Sequence, residues 1–260
     1  MTEKRTRGLL LVAHGSSTDA ETGEPARHQA RVIADLGVFD EVRAAFWKEE
    51  PALRDGLTVV KSDEVFVVPF FISSGYYTEE LVPREMEIKK GINRRGDRRI
   101  FYTEPVGTHP RMTDVLLHQA ETELSKSGVD PAGVSLFIVG HGTEMNKNSS
   151  AAVHQQVAGI RQLGKFAEVQ PAFMEEEPTH KTILSCAKSD KVLIIPFFIS
   201  DGPHSRQDIP ADIGLTRRGE DWENPVSIGG KMVWYTRSVG SDPRMVDVIL
   251  ERVKQAKAGN

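Results

Sequence analysis

Three residues in the second half of the chain could handle a divalent cation: His141 in "IVGHG", Glu175 in "AFMEEE" and His204 in "SDGPHS". Neutral imidazoles bind borderline cations such as Fe(II), Co(II), Ni(II) or Zn(II), and a nearby carboxylate can ligate or accept a proton. Two nitrogen ligands leave coordination positions open, unlike the closed tetrahedral shell of a structural zinc. Any one of the eight histidines could equally be a loop residue bonded to the backbone. Convergence of several such groups at one strand-end cleft favours the functional reading.

The elements that must position these groups are legible as alternating strands and helices. "GLLLVAH", "EVRAAFW", "EVFVVPFFI" and "RIFYTEPV" are short β-branched or aromatic runs separated by longer polar segments with helical spacing. The stretches beginning Pro110-Arg-Met and Pro243-Arg-Met continue with apolar residues at three- and four-residue steps, as in helices opened by proline. Continuous apolar strands linked by helices imply an α/β fold of the doubly wound kind, with parallel sheets covered on both faces. Ligands gather beyond the carboxyl ends of such strands. His141 follows "LFIV", Glu175 follows "VQPAF", and His204 lies after "VLIIPFFIS", so all three share that edge.

The pattern is written twice. "LLLVAHGSS" and "LFIVGHGTE" place His14 and His141 at an offset of 141 − 14 = 127 residues, and "PFFIS" recurs at the same offset, from Pro69 to Pro196. The register then slips by six, Tyr102 matching Tyr235, so the second copy carries an insertion near "GEDWENPVSIGG". Two tandem domains related by internal duplication are expected, at residues 1–130 and 131–260. The first copy keeps His14, but has Lys48 at the position of Glu175 and Tyr77 at that of His204. An ammonium repels an incoming cation and a protonated phenol is a poor ligand, so metal chemistry is expected in the second copy.

Composition narrows the classes. The 260 residues, 39% hydrophobic, suffice for two ordinary cores, and a net charge of −4 does not suit a general nucleic-acid binder. Cys186 is the only cysteine, which excludes an intrachain disulfide and a thiolate zinc or iron–sulfur site built from one chain. The apolar run Leu9–Ala13 is too short for a signal-peptide core or a membrane span. A cytoplasmic protein without nucleic-acid or membrane partners is expected.

"VAHGSS", "VGHGTE", "AFMEEEP" and "IPFFISDGPHSRQDIP" together resemble the signatures of the class II chelatases of the CbiX type, the sirohydrochlorin cobalto- and ferrochelatases, and the resemblance covers nearly the whole chain. It implies two chelatase-like (flavodoxin-like) lobes with an active-site cleft between them. It also implies ATP-independent insertion of a divalent metal into a tetrapyrrole in cobalamin or siroheme formation. The metal, Co(II) or Fe(II) with Ni(II) as a third option, is then a substrate, and no organic cofactor is required. Carried over by position, the family's metal-handling histidines become His141 and His204, and its assisting glutamate becomes Glu175.

The resemblance also sets demands on the residues. Two pyrrole N–H protons must leave as the metal enters, and Glu175 is the candidate base. Sirohydrochlorin carries many carboxylates, so local cations are expected to hold it: Arg206 and Lys147 first, with Arg217-Arg218 and Arg94-Arg95 as further candidates. His14 is expected to be a vestige or a hydrogen-bonding group toward the macrocycle. Protonated imidazoles bind metal poorly, so activity is expected to fall below about pH 6.5. A fused pair of lobes makes a monomer feasible, with a weak homodimer as the alternative. Among rival readings, a histidine phosphatase lacks its Arg-His-Gly here, and serine hydrolysis lacks the Gly-x-Ser-x-Gly elbow. A non-catalytic tetrapyrrole or metal carrier of the same fold remains the alternative function.

Overall fold

The computed structural model describes residues 5–143, 147–215 and 222–258. The first repeat runs β1 (Arg7–Ala13), α1 (Glu24–Asp35), β2 (Glu41–Phe46), α2 (Gly56–Val59), β3 (Glu64–Pro69), α3 (Val82–Met86), β4 (Gly91–Arg95) and β5 (Arg98–Tyr102). After α4 (Met112–Lys126), the second repeat runs β6 (Ser135–Gly140), α5 (Lys147–Gln162), β7 (Glu168–Phe173), α6 (Ile183–Cys186), β8 (Lys191–Pro196), α7 (Ile209–Asp212), β9 (Val226–Ile228), β10 (Lys231–Tyr235) and α8 (Met245–Ala258).

Each repeat forms a five-stranded sheet, in the orders β2-β1-β3-β5-β4 and β7-β6-β8-β10-β9. Four strands of each sheet are parallel and the last is an antiparallel edge. The expected α/β doubly wound fold is therefore present in both repeats. Central strands such as β1 and β6 are buried throughout or nearly so, which is why their sequences are unbroken apolar runs rather than alternating ones. Leu10, Val12, Val65, Val67 and Ile100 meet in one core, and Val139, Val192, Ile194, Ile209 and Val233 meet in its counterpart.

The two antiparallel edge strands, β4 and β9, were not anticipated from sequence. "GINRR" of β4 is almost wholly solvent-exposed and carries two arginines, so it shows no apolar periodicity. Its hairpin closes through Gly96-Asp97, with Gly96 at φ 59°; the β9–β10 hairpin closes through Gly229 and Gly230, both at positive φ.

The compact units do not follow the boundary expected between residues 130 and 131. One unit comprises residues 1–109 with 245–260, and the other residues 110–244. Thus α4, which follows the first repeat's sheet, belongs to the second unit, where it packs on α5 and β8. Thr113 there donates to the buried Gln156 side chain at 2.8 Å, beside Gly159, where a Cβ would stand 2.7 Å from the Thr113 hydroxyl. In turn α8 belongs to the first unit, packing on α1 and β3, with buried Arg252 donating to the Pro105 carbonyl at 2.8 and 3.1 Å. The helical periodicity specifies an apolar face on α4 and α8, but not which sheet that face covers.

Candidate metal-handling site

The chain leaves β6 toward β7 on one side and later returns to β8 on the other, so the carboxyl ends of these adjacent strands form a switch point. His141 directly follows β6, Glu175 lies two residues beyond β7, and His204 begins the helical turn reached from β8. All three are in the second unit. Gly142 sits at φ 67°, and a Cβ there would stand 2.7 Å from the Glu176 side chain, so this corner needs glycine.

That corner orients His141. Its Nδ1 lies 2.8 Å from the Gly142 carbonyl oxygen, which can only accept, so Nδ1 carries the proton and Nε2 keeps its lone pair. The His141 carbonyl accepts the Glu175 N–H at 3.0 Å, which holds the two residues side by side. The Glu175 carboxylate approaches the His141 ring to 3.6 Å from Nδ1 and is more than half exposed. It is therefore a carboxylate beside the ring in contact with solvent, suited to passing protons outward.

His204 opens a π-helical turn, His204–Asp208, that continues directly into α7. Its Nδ1 donates to the Asp208 carboxylate at 2.7 Å, again leaving Nε2 as the free nitrogen. This is the carboxylate–histidine arrangement that fixes tautomer and ring orientation and raises ligand basicity. Asp208 was missed in the sequence, although the spacing His-x-x-x-Asp on a helical segment was available as a signal. The turn itself is anchored by Tyr235, whose buried hydroxyl donates to the Ser205 carbonyl at 2.8 Å. Burial pushes that phenol well above its ordinary range, so it stays a neutral donor.

The structure brings the two imidazoles together. Their ring centroids are 5.2 Å apart with the planes at 82°, and among the described residues neither Nε2 has a hydrogen-bond partner. Also among the described residues, no group of three or more His, Cys, Asp or Glu side chains stands close enough to hold a metal ion. Glu175 accordingly reads as a neighbour of the pair rather than a third ligand.

The first unit repeats the frame with different chemistry. His14 Nδ1 donates to the Gly15 carbonyl at 2.7 Å, and Gly15 has φ 65°. Its Nε2, however, meets the Tyr77 hydroxyl at 3.2 Å, so the nitrogen that is open in His141 accepts a hydrogen bond in His14. Tyr77 also stacks on Phe71 at 5.9 Å, and Leu81 stands where Asp208 stands in the second repeat. The Lys48 ammonium lies over the Trp47 ring at 5.1 Å.

Comparison with known proteins places these observations. The CbiX family profile matches residues 8–123 and again 135–256. The chain belongs to the CbiX family. Its enzyme class is metal chelatase. This CbiX chain is 40% identical to a probable sirohydrochlorin cobaltochelatase of Halobacterium salinarum, over 97% of the chain and 92% of the relative. A sirohydrochlorin cobaltochelatase of Methanopyrus kandleri is 30% identical and aligns over 96% of its own length with 47% of this chain, as expected for a one-repeat relative. Among solved structures, a multi-domain Deinococcus radiodurans protein with structural similarity to chelatases matches with TM-score 0.81 and 27% identity. The match covers 96% of the CbiX chain, which spans about half (54%) of that longer protein.

The remaining expected site residues of this CbiX chain divide. Arg206 lies in the same turn as His204, half-buried, with its backbone N–H donating to the Gly202 carbonyl at 3.0 Å. Residues two apart on a helical turn do not face each other, so Asp208, four residues on, is the one that meets His204. The side chain of Lys147, and Arg217-Arg218, lie outside the described residues. Arg94 and Arg95 are on the exposed edge strand β4, and Arg95 donates to the Met86 carbonyl at 2.6 Å. No helix among the described residues is long and apolar enough to cross a membrane.

Proposed function

We propose that this CbiX chain inserts Co(II) or Fe(II), with Ni(II) as a third candidate, into a sirohydrochlorin-type tetrapyrrole without ATP, serving cobalamin or siroheme formation. The observation that carries the reading is the edge-to-face His141–His204 pair, in which neither Nε2 has a hydrogen-bond partner among the described residues. Two neutral imidazoles replace part of the metal's hydration and leave positions free for the pyrrole nitrogens. Glu175 accepts the protons displaced from the ring. It is exposed enough to return them to water, and its backbone bond to His141 keeps it beside the metal-handling pair.

The charge balance supports this assignment of roles. The second repeat places Glu175 and Asp208 near the imidazoles, where the first repeat has Lys48 and Leu81. A cation is attracted by the two carboxylates and repelled by the Lys48 ammonium, while Leu81 offers no charge. His14, with Tyr77 stacked on Phe71, instead offers ring faces and a hydroxyl suited to a flat conjugated substrate. Arg206 and Lys147 are the cations proposed for its carboxylates.

The test follows the visible spectrum of sirohydrochlorin mixed with Co(II) or Fe(II). His141→Ala and His204→Ala should each slow metallation by roughly a hundredfold, as expected for loss of a transition-state ligand. Glu175→Gln should lower kcat by about 10²-fold or more with metal affinity retained. Unchanged rates in both alanine variants would overturn the reading. A carrier of the same fold would bind the tetrapyrrole with no acceleration over the uncatalysed reaction.

A further inference from the structure

His180 is 1% exposed, yet it is a titratable ring in the core of the second unit. Its Nδ1 lies 3.0 Å from the Phe173 carbonyl oxygen and its Nε2 lies 2.9 Å from the Asp212 carboxylate. A carbonyl only accepts. The Asp212 carboxyl is held below the usual carboxylate range, chiefly by the His180 hydrogen bond, with Lys181 at 3.5 Å adding to it. Both ring nitrogens therefore face acceptor oxygens, and the ring is tied at both ends.

The two partners belong to the two segments that carry the site. Phe173 is the last residue of β7, and its N–H donates to the Pro178 carbonyl at 2.9 Å, closing the base of the short loop that presents Glu175. Asp212 ends α7, which runs on without a break from the turn bearing His204 and Asp208. One buried ring thus ties the glutamate loop to the histidine helix.

The first repeat shows that the fold does not require this tie. Leu53, 2% exposed, occupies the position of His180, and Glu85, whose ion-pair partner is its neighbour Arg84, occupies that of Asp212. An apolar side chain of similar volume usually serves stability as well as or better than a buried ion pair. The polar tie occurs in the repeat that has the facing imidazole pair.

We propose that His180 and Asp212 form a positioning pair that fixes the spacing between Glu175 and the His204–Asp208 turn. This rests on the reading of His141, His204 and Glu175 as the metal-handling group. Neither His180 nor Asp212 touches the metal or the substrate; they act through the segments they join.

The test uses His180→Leu, the residue the first repeat already accommodates, and Asp212→Ala, which removes the tie from its more exposed end. With the full-length protein, sirohydrochlorin and Co(II), each should lower kcat about tenfold, the lower end of effects for outer-shell partners of a metal site, while the tetrapyrrole KM changes less than twofold. The double variant should be no slower than either single one, because both remove the same tie. Asp212→Asn, which keeps an acceptor oxygen, should recover part of the rate. Full kcat in folded His180→Leu and Asp212→Ala, or multiplicative losses in the double variant, would overturn the proposal. His204→Ala measured alongside separates the two failures: if it is slow while His180→Leu is fast, only the positioning role falls, whereas if His204→Ala is also fast the site reading itself falls.

Discussion

His141 and His204 meet edge to face at 5.2 Å and 82°, and His14 and Tyr77 reproduce that arrangement at 5.0 Å and 77°. The duplicated frame therefore has the same ring geometry in both copies, with an imidazole at residue 204 and a phenol at residue 77. What differs is the state of one nitrogen: among the described residues Nε2 of His141 has no hydrogen-bond partner, and Nε2 of His14 accepts from Tyr77.

Asp208 is expected to matter nearly as much as the ligand it orients. Asp208→Asn keeps the size of the side chain but removes the charge that favours the Nδ1–H form of His204. Co(II) affinity, measured by titration calorimetry, should fall about 10- to 100-fold, in line with other second partners of ligating histidines.

The first repeat should be convertible. Tyr77→His frees His14 from the phenol and supplies a second imidazole, Leu81→Asp supplies its orienting carboxylate, and Lys48→Glu removes the repelling ammonium. The triple variant should bind a second equivalent of Co(II), read as calorimetric stoichiometry. Tyr77→His alone should bind it more weakly, because nothing fixes the new ring.

Acid should destabilise the second unit through Glu168. Burial by itself raises this carboxyl, but the bonds from the Ser135 hydroxyl and the Lys188 N–H, both 2.6 Å, outweigh it and hold the group below its usual 4.5. A carboxyl depressed on folding contributes stability that is complete above its unfolded value and is lost as pH falls through the folded one. Glu168→Gln should therefore unfold more easily at pH 7, by about 1 kcal/mol or roughly 2–4 °C in Tm. The difference from the parent protein should shrink below pH 4.5. Thermal denaturation at pH 7 and pH 3.5 checks both statements.

Much of the site was legible because it lies at strand ends. Buried parallel strands announce themselves as apolar runs, and the residues just past them share one edge whatever the details of packing. That is how His141, Glu175 and His204 were found together. Asp208 and His180 were not found, since one works through a helical turn beginning at His204 and the other through a partner 32 residues away.

The sequence alone determined the duplication, the strand and helix alternation, the Lys48 and Tyr77 that stand in the first copy where Glu175 and His204 stand in the second, and the strand edge these residues share, because local periodicity and residue type suffice for each. The tertiary structure decided which sheet α4 and α8 cover, which imidazole nitrogens are free and what ties the Glu175 loop to the His204 turn. These depend on contacts between residues far apart in the chain, and an apolar helix face or a histidine ring carries no record of its partner until the chain has folded.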